Sequence, residues 1–262
     1  MQKLLLKAQT IRQQIRCGDF VNNTSGVLPG LVQGNVVILT KEWAQDFLTF
    51  CENNPISCPL IAVSEVGDAS LPGLGDDIDI RTDVPGYSVY RDGELVESRS
   101  EINDLWQPDM VAFVLGCSFS FEEALIKAGI SVRNIDMGVN VSMYETSIQT
   151  LASAKFHGNL VVSMRPFNAQ DTIKAIQITS RFPKVHGAPI HLGDPSLIGI
   201  KNIYEPEYGC PVEIKSNEIP VFWGCGVTPQ VAIRNAKPPI CITHVPGKML
   251  ITDKRNADYE VH

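Results

Sequence analysis

Two decapeptides about a hundred residues apart share one pattern, Gly-Cys-x-x-(Ser/Thr)-x-(Glu/Gln)-x-Ala-(Leu/Ile), which restricts the fold of this chain more than any other feature. The first runs from Gly116-Cys117-Ser118 to Ala124-Leu125 and follows the apolar stretch Met110 to Leu115. The second runs from Gly224-Cys225-Gly226 to Ala232-Ile233 and follows Val221 to Trp223. A short, bounded apolar stretch has the length of one buried strand. Ser120-x-x-Glu123 reads as a capping box and predicts a helix from Phe121 to Ala128 that stops at Gly129. In the second copy Thr228 takes the N-cap, and Pro229 the first helical position, where a missing N–H costs nothing. Each copy thus predicts strand, tight turn and helix start, with a thiol and unpaired backbone N–H groups at the crest, a geometry that suits an anion.

The remaining pattern alternates strands with helices but breaks the rhythm with hairpins, which predicts a mixed sheet. Helices are expected over 3–16, 41–53 and 170–180, the last capped by Asn168. Strands are expected over 36–39, 60–63, 131–135, 141–146, 160–164, 212–214, 240–244 and 249–252, with a hairpin at Asp92-Gly93. Strict alternation in Asp77 to Val84 predicts a strand with Ile78, Ile80, Thr82 and Val84 on one face and Asp77, Asp79, Arg81 and Asp83 on the other. That polar face is either a solvated edge or an active-site wall with Arg81 held between carboxylates. Residues 111–184 contain enough elements for a small two-layer unit, so 1–110 and 185–262 are expected to pack together as a larger, discontinuous domain. The two Gly-Cys turns are then expected to face one cleft between the domains, with Arg165 or Arg81 lining it.

A net charge of −7 supplies no basic field, which argues against a nucleic-acid or anionic-membrane partner. No stretch approaches a transmembrane length, and the apolar start, Leu4 to Leu6, is too short for a signal peptide. The seven cysteines are odd in number and unpaired in spacing, so reduced thiols and a cytoplasmic location are expected, and a homo-oligomer stays open. Walker, dinucleotide, HExxH and GxSxG motifs are missing, and no cofactor is expected. His186, His191 and Asp194 have a spacing a metal could use, but two glycines and one proline interrupt it, and no metal is expected.

Candidates for chemistry begin with Cys117 and Cys225, each either a small buried hydrophobe or a thiolate with a pKa lowered by a helix N-terminus. Ser120 is accounted for by capping, whereas Ser118 is not. Arg165 and Arg81 follow apolar strand residues, where a guanidinium wants a carboxylate partner or a ligand. His157 reads as a general base or as a solvated loop histidine, and His186 as a further candidate for proton transfer.

The chain resembles the D-glutamate cyclase-like family, whose bacterial proteins carry a provisional hydro-lyase label. The resemblance rests on Thr24-Ser25-Gly26-x-x-Pro29-Gly30-x-Val32-Gln33-x-Asn35, Asp77 to Pro85, Gly116 to Leu125, Val162 to Pro166 and Gln177 to Pro183. It continues through His186 to His191, Gly193-Asp194-Pro195, Trp223-x-Cys225 to Gln230 and Ile242-Thr243-His244-x-Pro246-Gly247, and spans about Arg16 to Asp253. It implies a three-layer α/β domain with an inserted, smaller two-layer α+β domain. It also implies dehydration of a small acidic amino acid, D-glutamate closing to 5-oxo-D-proline. Such a cyclisation needs a cation for the α-carboxylate, a base for the ammonium, and donors for the oxyanion. For proton transfer the candidates are Cys117, Ser118, His157, His186 and Cys225. Those for substrate binding are Arg81, Asp79, Asp83, Arg165, Ser120, Gly226 and Thr228. Two other readings stay open: a cofactor-independent two-cysteine racemase, and a protein that binds an acidic amino acid without turning it over.

Overall fold

The computed structural model describes residues 2–261 and is a mixed α/β structure built on two sheets. Its elements are α1 (Gln2–Arg16), β1 (Leu31–Thr40), α2 (Lys41–Asn53), β2 (Leu60–Val63), β3 (Tyr87–Arg91), β4 (Glu94–Arg99), β5 (Met110–Gly116) and α3 (Phe119–Lys127). They continue with α4 (Arg133–Asp136), β6 (Ser142–Gln149), β7 (Asn159–Asn168), α5 (Ala169–Thr179), β8 (His191–Leu192), β9 (Glu218–Gly224), α6 (Thr228–Ala236), β10 (Cys241–His244) and β11 (Leu250–Arg255). Seven strands form the larger sheet in the order β2-β5-β1-β10-β3-β4, with β11 also paired to β1, and four form the smaller in the order β6-β7-β9-β8. Every strand pairing is antiparallel, so the expected mixed sheet is corrected to two antiparallel ones. Hairpins such as β3-β4 set this pattern, because Asp92 and Gly93 both take the positive φ of a tight turn. No helix among the described residues is long and apolar enough to cross a membrane.

The sheets do not follow the division at 110/111 and 184/185. β5 pairs on both sides inside the larger sheet, with β1 and β2, while β8 and β9 join β6 and β7 in the smaller one. Periodicity shows that a strand exists, not which neighbour takes its hydrogen bonds. The segment 77–84 is corrected too. It is a series of turns in which the N–H groups of Thr82 and Asp83 both reach the Asp79 carbonyl. Ile78, Ile80 and Val84 are still buried, against the face of the larger sheet that carries Val36, Ile38 and Val114. Residues 131–135 form α4 and its lead-in rather than a strand, and 212–214 are irregular.

On the other face of the larger sheet, Phe47 and Phe50 of α2 pack on Val37, Leu39, Phe113 and Phe156, with the Phe47 and Phe113 rings edge-on at 5.0 Å. Burial of each such ring is worth about 1.5–3 kcal/mol, which fixes α2 on the sheet. In the smaller sheet, Phe121 and Leu125 of α3 and Ala175 of α5 cover Phe167, Val221 and Trp223. The two Gly-Cys turns therefore cross over. β5 of the larger sheet feeds α3 on the smaller, and β9 of the smaller feeds α6, whose Ala232 and Ile233 join the core beneath α2. The crossing brings the ends of β5 and β9 together.

Candidate active site

Both turns open into one narrow cleft of about 30 Å³, lined by Cys117, Ser118, Cys225, Gly226, His186, His244 and Asn35 among others. Glycine is required at the strand ends by close approach. A Cβ on Gly116 would stand 2.0 Å from the Lys184 carbonyl oxygen, and one on Gly226 would stand 2.3 Å from the Asn35 amide nitrogen. The first contact lays residues 184–186 against β5 and so delivers His186 to the cleft. His186 itself holds a left-handed backbone, φ 83°, an uncommon conformation for a side chain of its size.

Helix α3 begins two residues earlier than the capping box predicts, and Ser118, not Ser120, occupies its N-cap position without a side-chain cap bond. The Ser120 hydroxyl instead accepts from the Gln33 N–H at 3.3 Å. Thr228 likewise lies inside α6, its hydroxyl accepting from the Val161 N–H at 3.0 Å. The N–H groups of Phe119 and Val227 point back at the thiols of Cys117 and Cys225. Those of Ser118 and Gly226 find no backbone acceptor among the described residues.

Burial pushes the Cys117 thiol up to about 12, against the pull of the Phe119 N–H, and the Cys225 thiol up to about 11. The expectation of a thiolate at a helix N-terminus is therefore corrected. A dipole offers about 0.3–1 kcal/mol, up to 2 when partly buried. Three pKa units, from 9 to 12, amount to about 4. Burial therefore favours the protonated thiol at both cysteines at neutral pH.

Two histidines also line the cleft. His186 Nδ1 donates to the Ile56 carbonyl at 2.8 Å, so Nε2 carries the lone pair, and that buried atom has no partner. Burial lowers its pKa to about 4, which keeps the ring neutral at pH 7. Across the cleft His244 Nδ1 lies 3.1 Å from the Val36 nitrogen and 3.3 Å from the Val36 carbonyl oxygen, so the Val36 backbone holds the ring. Burial lowers His244 to about 4 as well. The cleft thus offers one bare ring nitrogen, a second imidazole, two thiols and two free backbone N–H groups, with no Asp, Glu, Lys or Arg on its wall.

Neither arginine lines it. Arg165 is fully buried one layer behind, its Nε donating to Glu122 Oε1 at 2.9 Å and its Nη2 to Ser118 Oγ at 3.0 Å. Because Ser118 Oγ accepts there, its own O–H is free for the cleft. Arg81 makes a bidentate pair with Asp79 in a separate recess beside Trp106, and Asp83 is buried against Arg16. His157 is exposed. His191 Nε2 bonds the Asp194 carbonyl at 2.7 Å, and no three His, Cys, Asp or Glu among the described residues converge as a metal set. Asn35 and His244 were not among the candidates drawn from the sequence. Both lie in segments that carry the family resemblance, but a strand Asn that closes on Gly116 O at 2.7 Å and a strand-end His have no residue pattern that marks them for chemistry.

A family model described as D-glutamate cyclase matches residues 111–253. Among curated proteins, one from Aliivibrio fischeri named "Putative hydro-lyase" is 59% identical over 98% of this chain and 96% of its own length. Similarly named proteins from Aliivibrio salmonicida and Shewanella woodyi are each 57% identical, over 98% and 97% of this chain and 98% and 94% of theirs. A crystal structure of a nitrogen repressor-like protein from Methanococcus jannaschii aligns over 98% of this chain and 97% of its own, at 11% identity and a TM-score of 0.40, too distant to carry an argument.

Proposed function

The chain belongs to the D-glutamate cyclase family, and from that premise we propose that it is a hydro-lyase that closes D-glutamate to 5-oxo-D-proline with loss of water. The observation that carries this reading is the pairing of an unpartnered His186 Nε2 with two outward-facing helix starts in one neutral cleft. In the proposed step His186 Nε2 takes a proton from the substrate ammonium. The freed amine attacks the γ-carboxyl carbon, forming the ring C–N bond. The oxyanion of the tetrahedral intermediate lies against the N–H groups of Ser118 and Gly226 and the Ser118 hydroxyl, donors that need no reorganisation. The His186 imidazolium passes its proton to one oxygen of the intermediate, making it a hydroxyl; the Cys117 thiol protonates that hydroxyl as it leaves as water, and the thiolate regains a proton from the new ring nitrogen. Every change is a proton transfer or the exchange of a C–O for a C–N bond.

This assignment moves Arg165 from substrate binding to the support of Ser118, and leaves the carboxylates to the helix N-termini. Reduced thiols and a cytoplasmic location belong to the same proposal, supported by seven unpaired cysteines. Incubation with D-glutamate, and separately with 5-oxo-D-proline, in deuterated water is the test. Interconversion of the two supports the reading. Deuterium at the α-carbon with inversion would replace it by a two-thiol racemase, which the facing Cys117 and Cys225 favour and their raised pKa values oppose. Binding without either change would make the protein a carrier.

A further inference from the structure

Phe119 separates the cleft from a second hollow of about 50 Å³, between the 26–31 loop and α3, whose polar side chains are Gln33, Glu122, Glu123 and Asn256. The Gln33 amide nitrogen donates to the Thr24 carbonyl at 2.9 Å, which turns Oε1 the other way, where it is buried without a partner. The Asn256 amide nitrogen donates to Glu123 Oε2 at 2.8 Å, and its Oδ1 is likewise buried and unpartnered. Neither amide can be turned over. A reversed Gln33 would set its oxygen against a carbonyl, and a reversed Asn256 would set its oxygen against a carboxylate. Both Arg165 contacts to Glu122 fall on Oε1, so Oε2 has no hydrogen-bond partner among the described residues.

Three residues that line one small hollow thus each hold an acceptor, one of them a carboxylate oxygen, that no donor among the described residues answers. A single water donates two hydrogen bonds and would leave one acceptor bare. Ammonium donates up to about four, and potassium is content with amide and carboxylate oxygens, so either satisfies all three with one occupant of nearly the same size. A divalent ion would want more carboxylate than is free, since Glu123 already answers Asn256 and Lys127. Walls of Leu28, Leu31, Phe119 and Ile135 exclude larger hydrated ions.

We propose that this hollow is a monovalent-cation site that takes ammonium or potassium on Gln33 Oε1, Asn256 Oδ1 and Glu122 Oε2. A cation on Oε2 draws charge from the Glu122–Arg165 pair, and Arg165 holds Ser118 Oγ, so the occupant tunes the donor strength of Ser118 in the cleft. Binding stands independently of the dehydration reading; only its effect on turnover rests on it.

The test titrates the intact protein with potassium chloride or ammonium chloride at fixed ionic strength, balanced with N-methylglucamine chloride, whose cation is too large to enter. Thermal unfolding and thallium-205 NMR, with thallium(I) standing in for potassium, read occupancy. A saturable rise in Tm and saturable thallium binding are expected. The stronger response to ammonium or to potassium identifies the occupant. Gln33→Met and Asn256→Leu should each weaken binding about tenfold or more, the worth of one lost ligand oxygen. Identical melting in all three salts with no thallium binding would overturn the site and leave water as its occupant. Unaltered affinity in both variants would overturn its location. Turnover that ignores the cation in an enzyme that binds it would refute the link to Ser118. If D-glutamate and 5-oxo-D-proline are not interconverted at all, the proposed reaction fails, and thallium binding still decides the site.

Discussion

Removing the Arg165 side chain should cost stability before it costs affinity. The guanidinium is fully buried and makes four hydrogen bonds, two to Glu122 and one each to the hydroxyls of Ser163 and Ser118. Its carbon also stands 5.2 Å from the Phe121 ring and 5.6 Å from the Trp223 ring. Arg165→Ala strands the Glu122 carboxylate, itself only 2% exposed, without a counter-charge. Breaking one side of a buried pair costs about 3–5 kcal/mol. With a urea m value of about 3 kcal/mol/M, that lowers the unfolding midpoint by about 1–1.7 M. Arg165→Met combined with Glu122→Leu removes both charges and fills similar volume, and should return to within about 1 kcal/mol of the parent. Urea unfolding of the parent, both single variants and the double variant gives the coupling energy directly. If Arg165→Ala shifts stability by less than about 1 kcal/mol yet abolishes binding of an acidic ligand, the charge serves the ligand and the structural reading is refuted.

The two cleft histidines make stability fall with acid above the carboxylate range. Their pKa values are lowered from 6.5 to about 4, so below pH 6.5 the unfolded chain takes up protons that the folded one refuses. Each should remove about 2 kcal/mol by pH 5, and His186→Gln should flatten the slope between pH 6.5 and 5 in denaturant titrations at stepped pH. Cys117→Ala should lower turnover about tenfold or more, worth about 1.4 kcal/mol of barrier, in steady-state assays with the fold intact by circular dichroism. Native Cys117 and Cys225 should also give no thiolate absorbance between pH 7 and 9. Gly226→Ala drives a Cβ to 2.3 Å from the Asn35 amide and should cost about 1–3 kcal/mol. Adding Asn35→Ala should recover part of that loss in thermal melts, because the obstacle is a side chain rather than backbone.

Local chemistry is what the sequence determined by itself. α2 spans Lys41–Asn53 as its apolar stripe requires, Asn168 Oδ1 caps α5 on the Asp171 N–H at 2.9 Å, and Asp92-Gly93 turns the hairpin. Those features depend on neighbours a few residues away, and the pattern records them. Both Gly-Cys segments are strand, turn and helix start for the same reason. Tertiary structure decided everything that depends on distant partners. It paired β5 with β1 and β2, made turns of the alternating 77–84 segment, and gave Arg165 to Glu122 and Arg81 to Asp79. It also placed Asn35 and His244 on the cleft wall beside residues about 80 to 210 positions away in the chain. The thiols show the reason most clearly. The helix start that lowers a cysteine pKa is written in the sequence, whereas the burial that raises it by more exists only once the two sheets have closed over it.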